Sequence, residues 1–187
     1  MRKDFGVRAW TYPQPVFILA TYNQDGTPNA MNAAWGGVSG ADELTICVGA
    51  RHKTAENIQA RKAFTVAMGD LAHVVACDYV GVVSGHQVPN KVERAGFHVT
   101  PSALVDAPIL EELPMTVECQ VVSYDPKSGR LVGKIVNITA NEEVLGADGT
   151  IDPSLLQPIF FDPVHNAYYS MGEKVGNAFQ DGKALIK

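Results

Sequence analysis

The chain has 187 residues, 46% of them apolar and 19% charged, with a formal net charge of -5. That mix excludes a disordered chain, and the acidic balance excludes a general nucleic-acid binder, which carries a basic excess. A single domain over residues 1–187 is the expectation at this length.

Residues 16–22, VFILATY, are β-branched and aromatic and read as a strand, closed by the turn signal NQDG. The small-residue stretch 27–40, TPNAMNAAWGGVSG, reads as extended with a bent end. A polar turn and the strand LTICVGA (44–50) follow, which makes a β-meander. From Thr54 to about Lys62 the pattern is helical, with Thr54 as N-cap, Glu56 in the first turn, and Ala55 and Ile58 facing inward. AFTVAMG (63–69) is a further strand. LAHVVACDYVG (71–81) predicts a helix with Leu71, Val74, Val75 and Tyr79 on its apolar stripe. NKVERAGF (90–97) predicts one or two helical turns ended by Gly96. MTVECQVVSYD (115–125) and LVGKIVNITANEEVL (131–145) predict a hairpin around DPKSGR, followed by the loop ADGTIDPS and a mixed tail. Many short strands with few helices predict a mainly β protein, a β-barrel with helical excursions.

The junction CVGARHKTAENIQA (47–60) stands out, because Arg51, His52 and Lys53 lie where a strand passes into a helix. A helix start offers unpaired N–H groups and a dipole that favours an anion. Arg51 presents a planar fork for phosphate, Lys53 a point charge, and the Thr54 hydroxyl either caps the helix or donates to phosphate. A solvated basic loop is the plainer alternative. Before it, NAMNAAWGG (29–37) packs small residues around two asparagines and Trp35. Small side chains let a flat ligand approach the backbone, with Trp35 at its border, whereas the plainer alternative is a packed barrel corner with Trp35 in the core. Taken together, the two stretches favour a phosphorylated planar cofactor.

The ordered set NAMNAAWGGVSG, LTICVGARHKTAENIQ and SGHQVPNKVERAGF resembles the flavin reductase-like FMN-binding split-barrel family, nearest to its flavoredoxin group. The resemblance covers most of the chain, from about Pro15 to YYSMGEKVG. It implies a split β-barrel homodimer holding FMN near the subunit interface. It also implies roles: Asn29, Asn32 and the backbone of Ala33, Ala34 and Trp35 border the isoalloxazine, as do Cys47 and Val48 at the strand end. Arg51, His52, Lys53 and Thr54 receive the ribityl phosphate. Lys91 matches a lysine near the flavin, where a cation beside the pyrimidine side would raise the potential; an exposed helix lysine is the alternative. Phe161 matches a late aromatic near the cofactor, with Phe160 and simple core packing as alternatives.

Other chemistries find no support. Cys47, Cys77 and Cys119 form no C-x-x-C pair and read as small buried hydrophobes, and the five histidines show no metal-ligand spacing. There is no nucleophile elbow and no G-x-G-x-x-G dinucleotide fingerprint. No metal and no catalytic side chain are expected, since in a flavoprotein the cofactor carries the chemistry. The expected function is FMN-dependent oxidoreduction, passing reducing equivalents from NADH or NADPH to a flavin, ferric or protein acceptor. Two rivals remain: an FMN electron carrier serving a redox partner protein, and a module binding another planar ligand such as haem. No apolar run is long enough to cross a bilayer and MRKDFGVRAW lacks a signal-peptide core, so a cytoplasmic protein with no membrane partner is expected.

Overall fold

The run at 16–22 is apolar at nearly every position because its strand is buried on both faces. In a computed structural model describing residues 1–186, that strand lies between two packed clusters. Lys187, the last residue of the expected domain, lies outside the described residues. The strands in chain order begin with β1 (Gln14–Pro15), β2 (Phe17–Tyr22), β3 (Pro28–Ala33), β4 (Gly36–Val38), β5 (Glu43–Cys47) and β6 (Ala63–Met68). They continue with β7 (Val99–Pro101), β8 (Pro108–Leu110), β9 (Met115–Asp125), β10 (Arg130–Ala140), β11 (Ile159–Asp162) and β12 (Ala167–Ser170). The helices are α1 (Lys53–Arg61), α2 (Val74–Val82), α3 (Lys91–Arg94) and α4 (Pro153–Leu156).

Seven strands form one antiparallel sheet in the order β3-β2-β6-β9-β10-β5-β4. Its two edges, β3 and β4, are consecutive in the chain and joined only by Ala34 and Trp35. The sheet therefore curls into a half-barrel, and that two-residue corner spans the split. On β2, Phe17 and Leu19 point into the barrel beside Ile46, Phe64, Val66 and Leu131. Ile18 and Ala20 point out, under Cys77 and Val80 of α2, Val92 of α3 and Leu110 of β8. Each fully buried Leu, Ile or Phe contributes about 1.5–3 kcal/mol of transfer free energy, so a strand buried on both faces anchors the fold. The predicted hairpin forms as β9 and β10, with register shifts between Val132 and Gly133 and between Ile135 and Asn137. Bulges of this kind bend long strands and let them follow the curl.

Helix α2 departs from its predicted face. It starts at Val74, Leu71 and Val75 are exposed, and the buried positions are Cys77 and Val80. The segment is apolar all round, so periodicity could not choose the face that packing on β3 selects. Residues 171–186, after β12, are exposed throughout. No helix among the described residues is long and apolar enough to cross a membrane.

Candidate functional site

Strand β3 places one asparagine on each side of the sheet, and as an edge strand it has one row of backbone groups without a strand partner. Asn32 faces α2: its Nδ2 donates to the Cys77 carbonyl at 3.2 Å and to Tyr168 Oη at 3.3 Å. Tyr168 in turn donates to Asp78 at 2.8 Å, which ties β12 to α2, and burial followed by that carboxylate raises the phenol pKa. Asn29 is buried and faces α1, its Nδ2 donating to Thr54 Oγ1 at 2.9 Å.

Two glycines make these contacts possible. A Cβ on Gly81 would fall 2.8 Å from the Asn32 Cβ, and one on Gly85 would fall 2.3 Å from Asn29 Oδ1. The end of α2 and the loop after it therefore lie directly on the β3 edge. Between that loop, β3 and the start of α1 is a cavity of 110 Å³, lined in part by Asn29, His52, Lys53, Thr54, Gly85 and Lys91. Larger cavities of 770 and 420 Å³ flank the root of the C-terminal segment, away from this cluster. The cations, the open helix start and an unpartnered buried polar atom converge on the small cavity, and on neither of the larger ones.

That atom is Asn29 Oδ1, which has no hydrogen-bond partner. A buried orphan acceptor costs about 1–3 kcal/mol. Rotating the amide by 180° keeps the Thr54 contact, with the hydroxyl now donating, and turns the NH₂ into the cavity as an anion donor. His52 is the N-cap of α1 and gives no side-chain cap, so the first N–H groups of the helix stay open. Burial, then the charges of Lys91, Arg51 and His86, hold His52 below its usual pKa. Lys53 pairs with Glu56 at 2.9 Å, and His86 Nε2 comes within 4.0 Å of the same carboxylate.

Several expectations change. Thr54 is not the N-cap; it is buried in the first turn, where its hydroxyl meets Asn29. Lys91 is not an exposed helix lysine. It is 3% exposed, its Nζ donates to the Val80 and Val83 carbonyls at 2.9 and 2.8 Å, and burial brings its pKa down to about 8. These are terminal carbonyls of α2, where a cation is favoured. The structure thus gathers Asn29, His52, Lys53, Thr54 and Lys91 at one point, while Arg51 is exposed beside it and outside the cavity lining.

Asn32, Ala33, Ala34, Trp35, Cys47 and Phe161 lie further along the same edge. Trp35 is not a core residue: it is 48% exposed, with its ring edge-on to Phe161 at 6.1 Å between centroids. Phe161 also meets Tyr168, whereas Phe160 stacks on Tyr169, so it is Phe161 that faces the corner. Cys77 and Cys119 are buried as expected, but Cys47 is exposed, its N–H bonded to the Trp35 carbonyl at 2.8 Å. Val48 is fully buried, with its N–H on Gly129 and its carbonyl taken by Tyr124 Oη, so its backbone is not free for a ligand. The Ala34 and Trp35 N–H groups find no acceptor among the described residues. Sequence reasoning missed Gly81, Gly85 and Tyr168; the only signal for the glycines was their occurrence in and just after an apolar helix. No group of three metal-ligating side chains occurs among the described residues.

The model of the flavin reductase like domain matches residues 8–160. Flavoredoxin of Desulfovibrio vulgaris (Miyazaki F) is similar in structure at a TM-score of 0.93 and 33% identity, covering 98% of this chain and 100% of that one. Flavoredoxin from Methanosarcina acetivorans has a TM-score of 0.85 at 28% identity, covering 99% and 98%. An FMN-binding domain of a flavin reductases-like enzyme from Shewanella baltica shares the fold, with a TM-score of 0.76 at 19% identity over 87% and 89% of the two chains.

Proposed function

The chain belongs to the flavin reductase-like domain family, and from that premise we propose that it is an FMN-dependent oxidoreductase whose anion seat holds the ribityl phosphate. The carrying observation is the seat itself: a buried amide with an unpartnered atom, an open helix start and two lysines around a cavity of 110 Å³. This donor set fits a phosphate dianion, for which fixed N–H groups and cations are the strong partners. From Asn29 to Trp35 the edge runs about 20 Å at roughly 3.3 Å per residue, room for the ribityl chain and the ring.

FMN bound there supplies the hydride and single-electron chemistry. The protein's share is to bind and orient. Ala34 and Trp35 offer N–H groups to the ring edge, Asn32 is held by Cys77 and Tyr168, and Trp35 borders an open face where a second planar molecule can stack. NADH or NADPH is the proposed donor, and a flavin, ferric complex or protein the acceptor. The similarity to flavoredoxins supports a second reading, an electron carrier that receives electrons from a protein partner. We also place the active form as a homodimer, on the strength of large apolar side chains left bare at both ends of the chain, among them Phe5, Val7, Phe179 and Leu185.

Anaerobic mixing of the FMN-loaded protein with NADH and with NADPH tests the reading. Rapid loss of the flavin absorbance supports the enzyme. Loss only with a reduced partner protein supports the carrier. A chain that takes up no FMN ends both. Light scattering on the eluting protein reads the dimer, and a monomer mass would remove that proposal.

A further inference from the structure

Residues 171–186 leave the body of the protein after β12 and make no hydrogen bond to it among the described residues. Their bonds are internal: the Asn177 N–H donates to the Asp181 carboxylate at 2.8 Å, ahead of a short 3₁₀ turn over Asp181–Leu185. The same segment carries Val175, Phe179, Leu185 and Ile186, all exposed. We propose that it is an arm that packs on the outer face of α2 in a second copy of this chain, two arms crossing over a two-fold axis. The proposal rests on the homodimer reading above and adds the surfaces that form it.

Four observations carry it. The first is area. The chain exposes 11405 Å², whereas a compact monomer of 20.1 kDa exposes about 8,700 Å². The surplus is about 2,700 Å² per chain, and covering half of it on each of two chains buries about that area in total, the size class of an obligate dimer. The second is a receiving surface. Leu71, Val75 and Val82 form an exposed apolar stripe along α2 and the turn before it. Asp78 lies on that stripe and is occupied by the Tyr168 hydroxyl. Beside the stripe a groove of 310 Å³, lined by Val75, Ala76, Tyr79 and Arg94, offers a seat for one aromatic anchor. The third is backbone. Phe179 holds a φ of 63°, a left-handed conformation that bulky residues avoid, and its own chain leaves the ring bare. The fourth is position. Leu71 shares a cavity with Met171, Gly172, Glu173 and Lys174, so the root of the arm lies at one end of the α2 face. A two-fold axis passing there brings each arm to the partner's face. The arm reaches roughly 50 Å when extended, at about 3.3 Å per residue. Each copy offers both arm and face, so one contact repeated by the axis uses all four surfaces and closes the assembly at two.

The test is the dimer dissociation constant of the full-length protein, read by light scattering and sedimentation over a dilution series. Phe179→Asp changes the arm and Val75→Glu changes the face. Both side chains are bare in the single chain, at 93% and 83% exposure, so neither change disturbs its core, and circular dichroism checks the fold. Each variant should raise the dimer Kd at least about tenfold, as loss of an interface anchor does. The double variant should weaken the dimer by clearly less than the product of the two, because both remove one contact. A parent dimer that Phe179→Asp leaves intact overturns the arm and leaves the homodimer reading standing. A dimer weakened by Phe179→Asp but not by Val75→Glu, or effects that simply multiply, overturns the docking on α2. A parent protein that is monomeric at every concentration overturns the proposal and the homodimer reading together.

Discussion

Lys91 offers a quantitative test of the seat. Its ammonium is buried against the end of α2, and that burial alone draws its pKa from the ordinary lysine value to about 8. A phosphate dianion is best held by the charged form. Above pH 8 the free protein loses this proton and binding must restore it. If the complex keeps the proton throughout, affinity falls by a factor of one plus ten to the power (pH minus 8), about twofold at pH 8 and about tenfold at pH 9. Other groups stay out of that window. The phosphate completes its ionisation near pH 6, and His52 is held below its usual value. The assay is the FMN dissociation constant from pH 7 to 9.5 at constant ionic strength. Lys91→Met keeps the apolar stem and removes the charge. It should weaken binding about tenfold to a hundredfold at pH 7, the size of a charge-assisted hydrogen bond, and flatten the profile. For the flavin-free protein the sign is opposite. A lysine whose folded pKa lies below its unfolded value near 10.4 leaves the unfolded chain with more protons from about pH 8 to 10.4, so stability rises with pH across that window. A parent Kd that stays level to pH 9.5, or an inflection that survives in Lys91→Met, would refute the assignment of Lys91 to the seat.

Other expectations follow from the same geometry. Thr54→Val is nearly isosteric but leaves the Asn29 amide buried with no partner, so thermal or urea unfolding should show a loss of about 1–3 kcal/mol, together with weaker FMN binding; unchanged stability would mean that water reaches the amide. Gly81→Ala forces a Cβ to 2.8 Å from that of Asn32 and should cost about 1–3 kcal/mol by the same measurement. Lys53→Ala should strip FMN during gel filtration far more than Arg51→Ala, because Lys53 lines the cavity and Arg51 does not; equal losses would contradict the placement of the seat.

The residues themselves fixed the parts that depend on near neighbours in the chain. The apolar run at 16–22, the hairpin around DPKSGR and the helix from Lys53 to Arg61 all form, because strand alternation, turn chemistry and helical spacing act within a few residues. The basic triplet could be read as a candidate anion seat for the same reason, since a helix start leaves open N–H groups, but only the folded chain shows that His52 and Lys53 line the cavity and Arg51 does not. What only the folded chain decided was distance between remote segments. For Lys91 the surface alternative fails only once α2 offers its last carbonyls, and for Trp35 the core alternative, like the reading of Cys47 as a small buried hydrophobe, fails only once the split between β3 and β4 leaves both side chains bare. Gly81 and Gly85 carry no message in a one-dimensional string; they matter because the Asn29 and Asn32 side chains of β3 lie where a Cβ would have to go, and no local pattern records which remote side chain will come that close.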